Sequence, residues 1–276
     1  DLKNEKVKFY IGDVRDYDRL YAVTKDVDII FHAAALKHVP AVELHPYEAV
    51  KTNIFGAYNV VKASVARKVK NVVAISTDKA VKPVNAMGMT KALQEKIILS
   101  DDLTKDSTKF CCVRYGNVLG SRGSVIPVWN SKIDKKQPLP ITHKEMTRFL
   151  LTLSEAIDLV FYSLKHGKGG EIFVKKAPAA KMTDLALAYA ELKTGKKNYP
   201  LEFIGIRAGE KIDEILVSEE EMRHSIERKD HFVINKETKI DKFSTIISHK
   251  QYGSSNTKHL TIDELKHIMK KLQWTA

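Results

Sequence analysis

The sequence has little cysteine and glycine and no long apolar run. Its two cysteines are the adjacent Cys111 and Cys112, which excludes a disulfide scaffold and a zinc module built on several cysteines. The 13 glycines fall below the roughly 19 that average usage predicts. No apolar run approaches the ~18 residues of a membrane-spanning helix, and the polar first ten residues do not resemble a signal peptide. We therefore expect a cytoplasmic protein without membrane insertion.

The charge is strongly basic, with 46 Lys and Arg against 34 Asp and Glu, a net +12 over 276 residues. This balance favours anionic partners. The basic residues are spread along the whole chain without interleaved aromatics, which does not favour a nucleic-acid surface. His32 and His38 lack the carboxylate or cysteine spacing of a metal site. We expect an anionic small molecule as the ligand, with no nucleic acid and no metal.

In the first half, short β-branched runs alternate with longer amphipathic stretches. The runs cover residues 7–11, 28–32, 71–76 and 109–114, and the stretches cover 46–69 and 85–100. This alternation predicts an α/β fold with a doubly wound parallel sheet of the Rossmann type. Several runs are nearly all apolar, as strands buried on both faces are. Cys111 and Cys112 lie inside such a run and are expected to be inert.

After Gly123 the alternation loosens, which predicts a change of domain. Helices are predicted over 153–166, 182–193, 218–228 and 261–272, and a strand over 171–175. Thr261 and Glu264 offer a capping box for the last helix. We predict a cofactor-binding domain over residues 1–119 and a smaller α/β substrate region over 120–276, of which about 153–176 returns to the first domain.

A glycine pattern at residues 116–123 imitates the phosphate-binding turn of dinucleotide-binding folds. Gly116, Gly120 and Gly123 follow a predicted strand, but that turn normally follows the first strand. Here four strand-like segments come before it, and the early chain has only Gly12. The pattern therefore favours a loop whose backbone closely approaches some other ligand.

A second cluster follows the predicted strand at 71–76. Thr77, Asp78 and Lys79 supply a hydroxyl, a carboxylate and an amine where open α/β sheets place their ligands. A turn or a helix cap is the ordinary role of Thr-Asp at a strand end. Met87 and Lys91 lie four residues apart and so share one helix face.

These motifs resemble the extended short-chain dehydrogenase/reductases. More narrowly, the chain resembles the polysaccharide-biosynthesis branch that holds the inverting UDP-N-acetylglucosamine 4,6-dehydratases. Dehydratases that retain configuration at C5 typically carry Glu where this chain has Lys79. The stretches that carry the resemblance are 12–16, 32–40, 51–53, 76–80, 114–125 and 207–211.

The chain departs from the family pattern in two places. The family's Tyr-x-x-x-Lys motif here has Met87 before Lys91, as in a minority branch of capsule and O-antigen enzymes. The family's N-terminal strand, glycine-rich turn, helix and second strand have no counterpart, so we expect an N-terminally truncated chain. Because the residues that choose between the cofactors lie in that part, both NADP and NAD stay open, with NADP favoured.

The resemblance implies 5-inverting 4,6-dehydration of UDP-N-acetylglucosamine to a 4-keto-6-deoxy sugar nucleotide for surface polysaccharide. It also implies a homo-oligomer. Two alternatives stay open. A UDP-glucose or UDP-N-acetylglucosamine 4-epimerase uses the same scaffold, and some relatives of the Met-bearing branch carry that name. The second alternative is a non-catalytic nucleotide-binding module, because Met87 stands where the family has a tyrosine and so lacks the hydroxyl.

The family's functional residues map onto this chain by motif. Lys79 is the expected C5 base, with its pKa lowered by burial and by Lys91. Asp78 is the expected acid for the C6 hydroxyl or the group that orients the substrate. Met87 replaces the tyrosine, so Thr77, a water or a neighbouring lysine is the candidate relay for the C4 proton. The expected cofactor contacts are Asp13, Val14, Ala33, Ala34, Lys37, Lys91 and Val118. The expected substrate contacts are Lys37, Asn117, Arg122, Ser124, Val125, Thr142, Arg207 and Glu210.

Overall fold

The fold is taken from a computed structural model that describes residues 4–101, 108–121, 124–235 and 250–272. The helices in these ranges are α1 Tyr17–Val23, α2 Val39–Leu44, α3 Pro46–Ala49, α4 Gly56–Ala66, α5 Ala86–Ile98, α6 Ile126–Asp134, α7 Leu153–His166, α8 Met182–Thr194, α9 Glu219–Met222 and α10 Ile262–Lys271. The strands are β1 Ile29–His32, β2 Asn71–Ile75, β3 Lys109–Arg114, β4 Asn117–Val118, β5 Leu139–Ile141, β6 Thr147–Leu151, β7 Ile172–Lys175, β8 Ala179–Lys181, β9 Leu201–Phe203, β10 Ile215–Val217, β11 Ser225–Glu227, β12 His231–Ile234 and β13 Tyr252–Gly253.

The largest sheet has six strands in the order β1-β2-β3-β7-β12-β11. The first four strands run parallel, and β12 and β11 add an antiparallel edge. Val72, Val73 and Ala74 of β2 are almost completely buried, since helices cover both faces of a parallel sheet. The predicted α/β fold with a Rossmann-type parallel sheet is confirmed.

Three smaller sheets accompany the large one among the described residues. β4, β6 and β8 form one, and the pairs β5-β9 and β10-β13 form two more. A second apolar core lies among α6, α8 and α10, with Trp129, Tyr189 and Leu265 fully buried in it. The Tyr189 hydroxyl donates to Asn130 Oδ1 at 2.6 Å, so this buried phenol keeps a hydrogen-bond partner. No helix among the described residues is long and apolar enough to cross a bilayer.

Three predicted elements differ in the structure. Residues 7–11 form no strand, because no described strand lies beside them to complete a hydrogen-bond ladder, and Ile11 is exposed. The predicted helix over 46–69 is divided by a π-helical segment, Val50–Phe55, between α3 and α4. The predicted helix over 218–228 ends at Met222, and the chain then enters β11, which pairs with β12 at the edge of the large sheet.

Local capping signals agree with the structure. Thr261 and Glu264 form the predicted capping box of α10. Asn85 caps α5, because its side chain accepts the Gly88 N–H at 2.7 Å. A Cβ at Gly116 would overlap Phe149, so close packing against β6 requires glycine there, while the ligand predicted at the 116–123 loop stays a prediction.

Candidate active site

A cavity of about 340 Å³ opens beyond the carboxyl end of β2. One wall is α2 and the start of α5, and the facing wall is the loop over residues 207–211. Two bonds hold that loop in place. Asn85 Nδ2 donates to the Gly209 carbonyl at 2.8 Å, and Lys211 Nζ donates to the Val81 carbonyl at 2.6 Å. The lining residues are Val39, Pro40, Glu43, Lys79, Asn85, Asn117, Arg148, Arg207, Ala208, Gly209, Glu210, Lys211 and Glu214.

The predicted Thr-Asp-Lys cluster forms a short 3₁₀ turn directly after β2. The Thr77 hydroxyl donates to Asp78 Oδ1 at 2.7 Å. Lys79 Nζ donates to the same oxygen at 3.0 Å. The Asp78 side chain is 1% exposed and that of Lys79 is 24% exposed, so the amine is the member that reaches the cavity. Asp78 Oδ2 is buried and has no hydrogen-bond partner among the described residues.

Glu214 is a further member of the cluster that the sequence analysis did not name. Its Oε1 lies 3.3 Å from Lys79 Nζ and 3.7 Å from Arg148 Nε. Its backbone is fixed by Ser254, whose Oγ accepts the Glu214 N–H at 2.9 Å. The available sequence signal is a carboxylate directly before the apolar strand β10, a few residues after the 207–211 motif.

Arg148 supports this wall of the cavity. Its guanidinium donates to the carbonyls of Thr147, Lys211 and Ile212 at 2.7 to 2.9 Å. The bonds to Lys211 and Ile212 tie β6 to the segment that carries Lys211 and Glu214. Because Nη1 and Nη2 donate to backbone carbonyls, Arg148 acts as a structural clamp with a positive charge near the cluster.

The electrostatics of Lys79 differ from the prediction. Burial alone would lower its pKa, but the carboxylates of Asp78 and Glu214 outweigh burial and raise it. Lys91 is not the cation beside it. The Lys91 ammonium instead donates to the Ile75 carbonyl at 2.6 Å and to Gln94 Oε1 at 2.7 Å. The predicted lowering of the Lys79 pKa by Lys91 is therefore wrong.

Met87 and Lys91 lie on the buried face of α5. Met87 packs against Val42 and Ala49 in a small apolar cluster. Burial lowers the pKa of Lys91 to about 8. The nearby His32 is buried, and burial followed by the Lys91 charge lowers its pKa to about 4. His32 Nε2 has no hydrogen-bond partner among the described residues, so the imidazole is neutral in the folded protein.

The residues expected to contact the cofactor lie on several different elements. Asp13 accepts two hydrogen bonds from the Arg15 guanidinium in a bidentate ion pair, which lowers the Asp13 pKa to about 2. Ala33 and Ala34 are exposed directly after β1, and these small side chains leave room for a ligand there. The expected contacts therefore include an open strand end and one buried ammonium, which fit a dinucleotide. Of the other expected contacts, Val14 packs against Gly56, Lys37 is exposed, and Val118 packs against the large core.

The residues expected to bind substrate are only partly brought together. Asn117, Arg207 and Glu210 line the cavity. The Arg207 N–H donates to Glu210 Oε2 at 3.5 Å. Four others are absent from its lining: Lys37 is exposed, Ser124 and Thr142 are half-buried, and Val125 packs on the second core. Arg122 lies outside the described residues.

Comparison with known proteins agrees with this fold and with the motifs. The family described as polysaccharide biosynthesis protein matches residues 1–236. The chain belongs to this family. A protein of Rickettsia bellii named UDP-glucose 4-epimerase is 44% identical over 283 residues, covering 99% of this chain and 82% of the relative. That name corresponds to the epimerase alternative left open by the sequence, not to the dehydratase.

Solved structures share the fold of this family member. The X-ray structure of Pen from Bacillus thuringiensis has a TM-score of 0.87 and 39% identity, covering 98% of this chain and 84% of Pen. A dTDP-glucose 4,6-dehydratase of Streptomyces venezuelae, solved with NAD bound, has a TM-score of 0.69 and 19% identity, covering 76% of this chain and 70% of that protein. At that identity the second similarity shows the fold alone.

Proposed function

We propose that the protein modifies nucleotide sugars, and that its reaction is the 5-inverting 4,6-dehydration of UDP-N-acetylglucosamine. The observation that carries the proposal is the buried Asp78 carboxylate bonded to a Lys79 amine that reaches the cavity. A carboxyl group and an amine side by side are what elimination across two adjacent carbons requires, since one proton must be taken and a hydroxyl must leave. The choice of UDP-N-acetylglucosamine rests on the resemblance to the inverting branch.

In this reaction Lys79 takes the C5 proton once a ketone at C4 has made it acidic. Asp78 assists departure of the C6 hydroxyl or orients it. A positioned acid or base contributes ~10²–10⁴-fold in rate, which is roughly 3–5 kcal/mol. Two basic groups near the cavity, Arg207 and Lys211, supply positive charge for the diphosphate of the substrate.

The cofactor side of the site is proposed to hold NADP or NAD. When bound, the nicotinamide accepts a hydride and returns it. Lys91 holds the ribose, using the N–H that its bonds to Ile75 and Gln94 leave available. Ala33 and Ala34 allow the dinucleotide to approach the backbone at the end of β1. The Met87 thioether has no proton to exchange with the C4 hydroxyl. Thr77 is therefore the proposed relay for that proton.

A 4-epimerase is the second candidate, and the name of the Rickettsia bellii relative favours it. An epimerase uses the base at the C4 hydroxyl in both directions and needs no chemistry at C6. The buried thioether of Met87 offers no such base. The Asp78–Lys79 pair would also have no task in an epimerase. These contacts favour the dehydratase.

Product analysis separates the two candidates. Protein made from the complete coding region is incubated with UDP-N-acetylglucosamine and nicotinamide cofactor in deuterated water, and the sugar is followed by mass spectrometry and NMR. We expect loss of one water per turnover and one deuterium at C5. An unchanged mass with accumulation of the 4-epimer would reject the dehydratase and establish the epimerase.

The Lys79→Ala variant tests the proposed base directly. We expect its C5 exchange to fall by ~10²–10⁴-fold, while cofactor binding persists because Lys79 touches the substrate side of the site. Lys70→Ala is the matched control, since Lys70 is an exposed lysine just before β2 that pairs with Asp28. Normal C5 exchange in Lys79→Ala would remove this residue from the mechanism.

A further inference from the structure

Two buried carboxylates share one lysine at the cavity wall. Lys79 Nζ lies 3.0 Å from Asp78 Oδ1 and 3.3 Å from Glu214 Oε1. The side chains of Asp78 and Glu214 are 1% and 3% exposed. In such a setting, proton positions depend on the local contacts more than on the solvent.

The two carboxylates are not equally stabilised as anions. Asp78 Oδ1 accepts hydrogen bonds from both Thr77 and Lys79. Glu214 has charged neighbours but weaker contacts, since Arg148 donates its hydrogen bonds to backbone carbonyls and approaches Glu214 only to 3.7 Å. The second oxygens, Asp78 Oδ2 and Glu214 Oε2, are both buried with no hydrogen-bond partner among the described residues, so the difference lies in the two bonds to Asp78 Oδ1. A carboxylate with fewer donors takes a proton more readily.

The charges that face Glu214 act in opposite directions. Burial, followed by the Asp78 charge, raises the pKa of Glu214, and the cations Lys79, Arg148 and Lys211 oppose this without reversing it. The Lys79 pKa is raised by its two carboxylates. A lysine with a raised pKa does not lose its proton to water at neutral pH. A base at Lys79 therefore needs a proton acceptor inside the cluster.

We propose that Glu214 is this acceptor, a positioning residue that acts through Lys79 and makes its amine available to the substrate. The inference rests on the proposed role of Lys79 as the C5 base. One N–H bond of Lys79 breaks and one O–H bond forms on Glu214, so the Lys79–Glu214 pair neither gains nor loses a proton. Lys79 then takes the C5 proton, and the departing C6 hydroxyl leaves with one proton from the cluster. The cluster ends with the protons it began with.

The pH profile of C5 exchange tests this transfer. In the unmodified protein we expect the rate of C5 exchange to be independent of pH from about pH 6 to about pH 8, which we call a level profile. The reason is that the reactive form, neutral Lys79 with protonated Glu214, holds as many protons as the resting ion pair. In Glu214→Gln the proton must leave to solvent, so the rate should rise about tenfold per pH unit. At about pH 7 we expect a loss of ~10²-fold or more. Glu214→Asp should restore the level profile at a lower rate.

The matched control is Glu220→Gln, because Glu220 is a 74% exposed carboxylate on the same segment of the chain. It should keep the rate and profile of the unmodified protein. A level profile at undiminished rate in Glu214→Gln would overturn the inference and leave the proposed dehydration standing. If the unmodified protein neither exchanges C5 nor releases water, both proposals are wrong. If Glu214→Gln does not fold, Glu214→Asp decides: a level profile supports the transfer, and a rate that rises with pH overturns it.

Discussion

Replacing Arg114 by methionine should destabilise the protein strongly. Arg114 closes β3, and its side chain is 2% exposed. Its guanidinium makes a two-point bond to Glu95 of α5, at 2.6 and 3.0 Å, and a second to Glu221 of α9, at 2.9 and 3.1 Å. A fifth bond reaches the Leu216 carbonyl at 2.9 Å. One side chain thus joins the large sheet, the helix that carries Lys91 and the segment that follows Glu214.

The magnitude follows from the charges left behind. Methionine fills much of the volume, so the main cost is two carboxylates without their cation, with side chains 6% and 20% exposed. Removing one partner of a buried ion pair costs ~3–5 kcal/mol. For a chain of this length that corresponds to a fall of about 10 °C in Tm. We expect guanidinium unfolding, followed by circular dichroism, to show a loss in this range.

The pH dependence identifies the cause. In Arg114→Met the folded-state pKa of Glu221 rises above the unfolded value, because burial is no longer offset by the guanidinium. Protonation of Glu221 then favours the folded state, so the loss of stability should be largest near pH 7 and shrink toward about pH 5. The control is the triple variant Arg114→Met, Glu95→Leu, Glu221→Leu, which removes all the charges and should recover much of the stability. A loss below about 1 kcal/mol in Arg114→Met, or one independent of pH, would refute this reasoning.

Two further predictions concern single sites. Gly88→Ala should lower the free energy of unfolding by ~1–3 kcal/mol and reduce activity, because the new Cβ would overlap the Lys79 carbonyl oxygen. This loss is expected although alanine normally stabilises a helix by ~1 kcal/mol relative to glycine. A gain in Tm would contradict the prediction. His32 has a folded-state pKa of about 4 against an ordinary 6.5. Its neutral form therefore contributes about 3 kcal/mol to the free energy of unfolding above about pH 6.5, and this contribution is lost as the pH falls toward 4. His32→Leu should remove that part of the acid sensitivity in urea titrations, and an equal loss in both proteins would exclude His32 as its source.

The sequence by itself determined the parts of the fold that depend on local pattern. The apolar runs of β2 and β3 predict buried parallel strands because hydrophobicity of that length fits no exposed element. Thr261 and Glu264 predict the start of α10 because a capping box involves only neighbouring residues. The order Thr77-Asp78-Lys79 after β2 predicted a polar cluster at the carboxyl end of the strand, and the structure places it there.

Tertiary structure decided what depends on residues far apart in the chain. Glu214 and Arg148 reach Lys79 only because β6 and β10 fold against the turn that follows β2. The Glu214 carboxylate, together with that of Asp78, outweighs burial and reverses the expected direction of the Lys79 pKa, whereas Arg148 opposes this. The sequence shows Asp78 beside Lys79, but only the fold brings Glu214 there. The same holds for residues 7–11, where the β-branched pattern predicted a strand. A strand needs a neighbouring strand for its hydrogen bonds, and only the assembled sheet determines whether one is there.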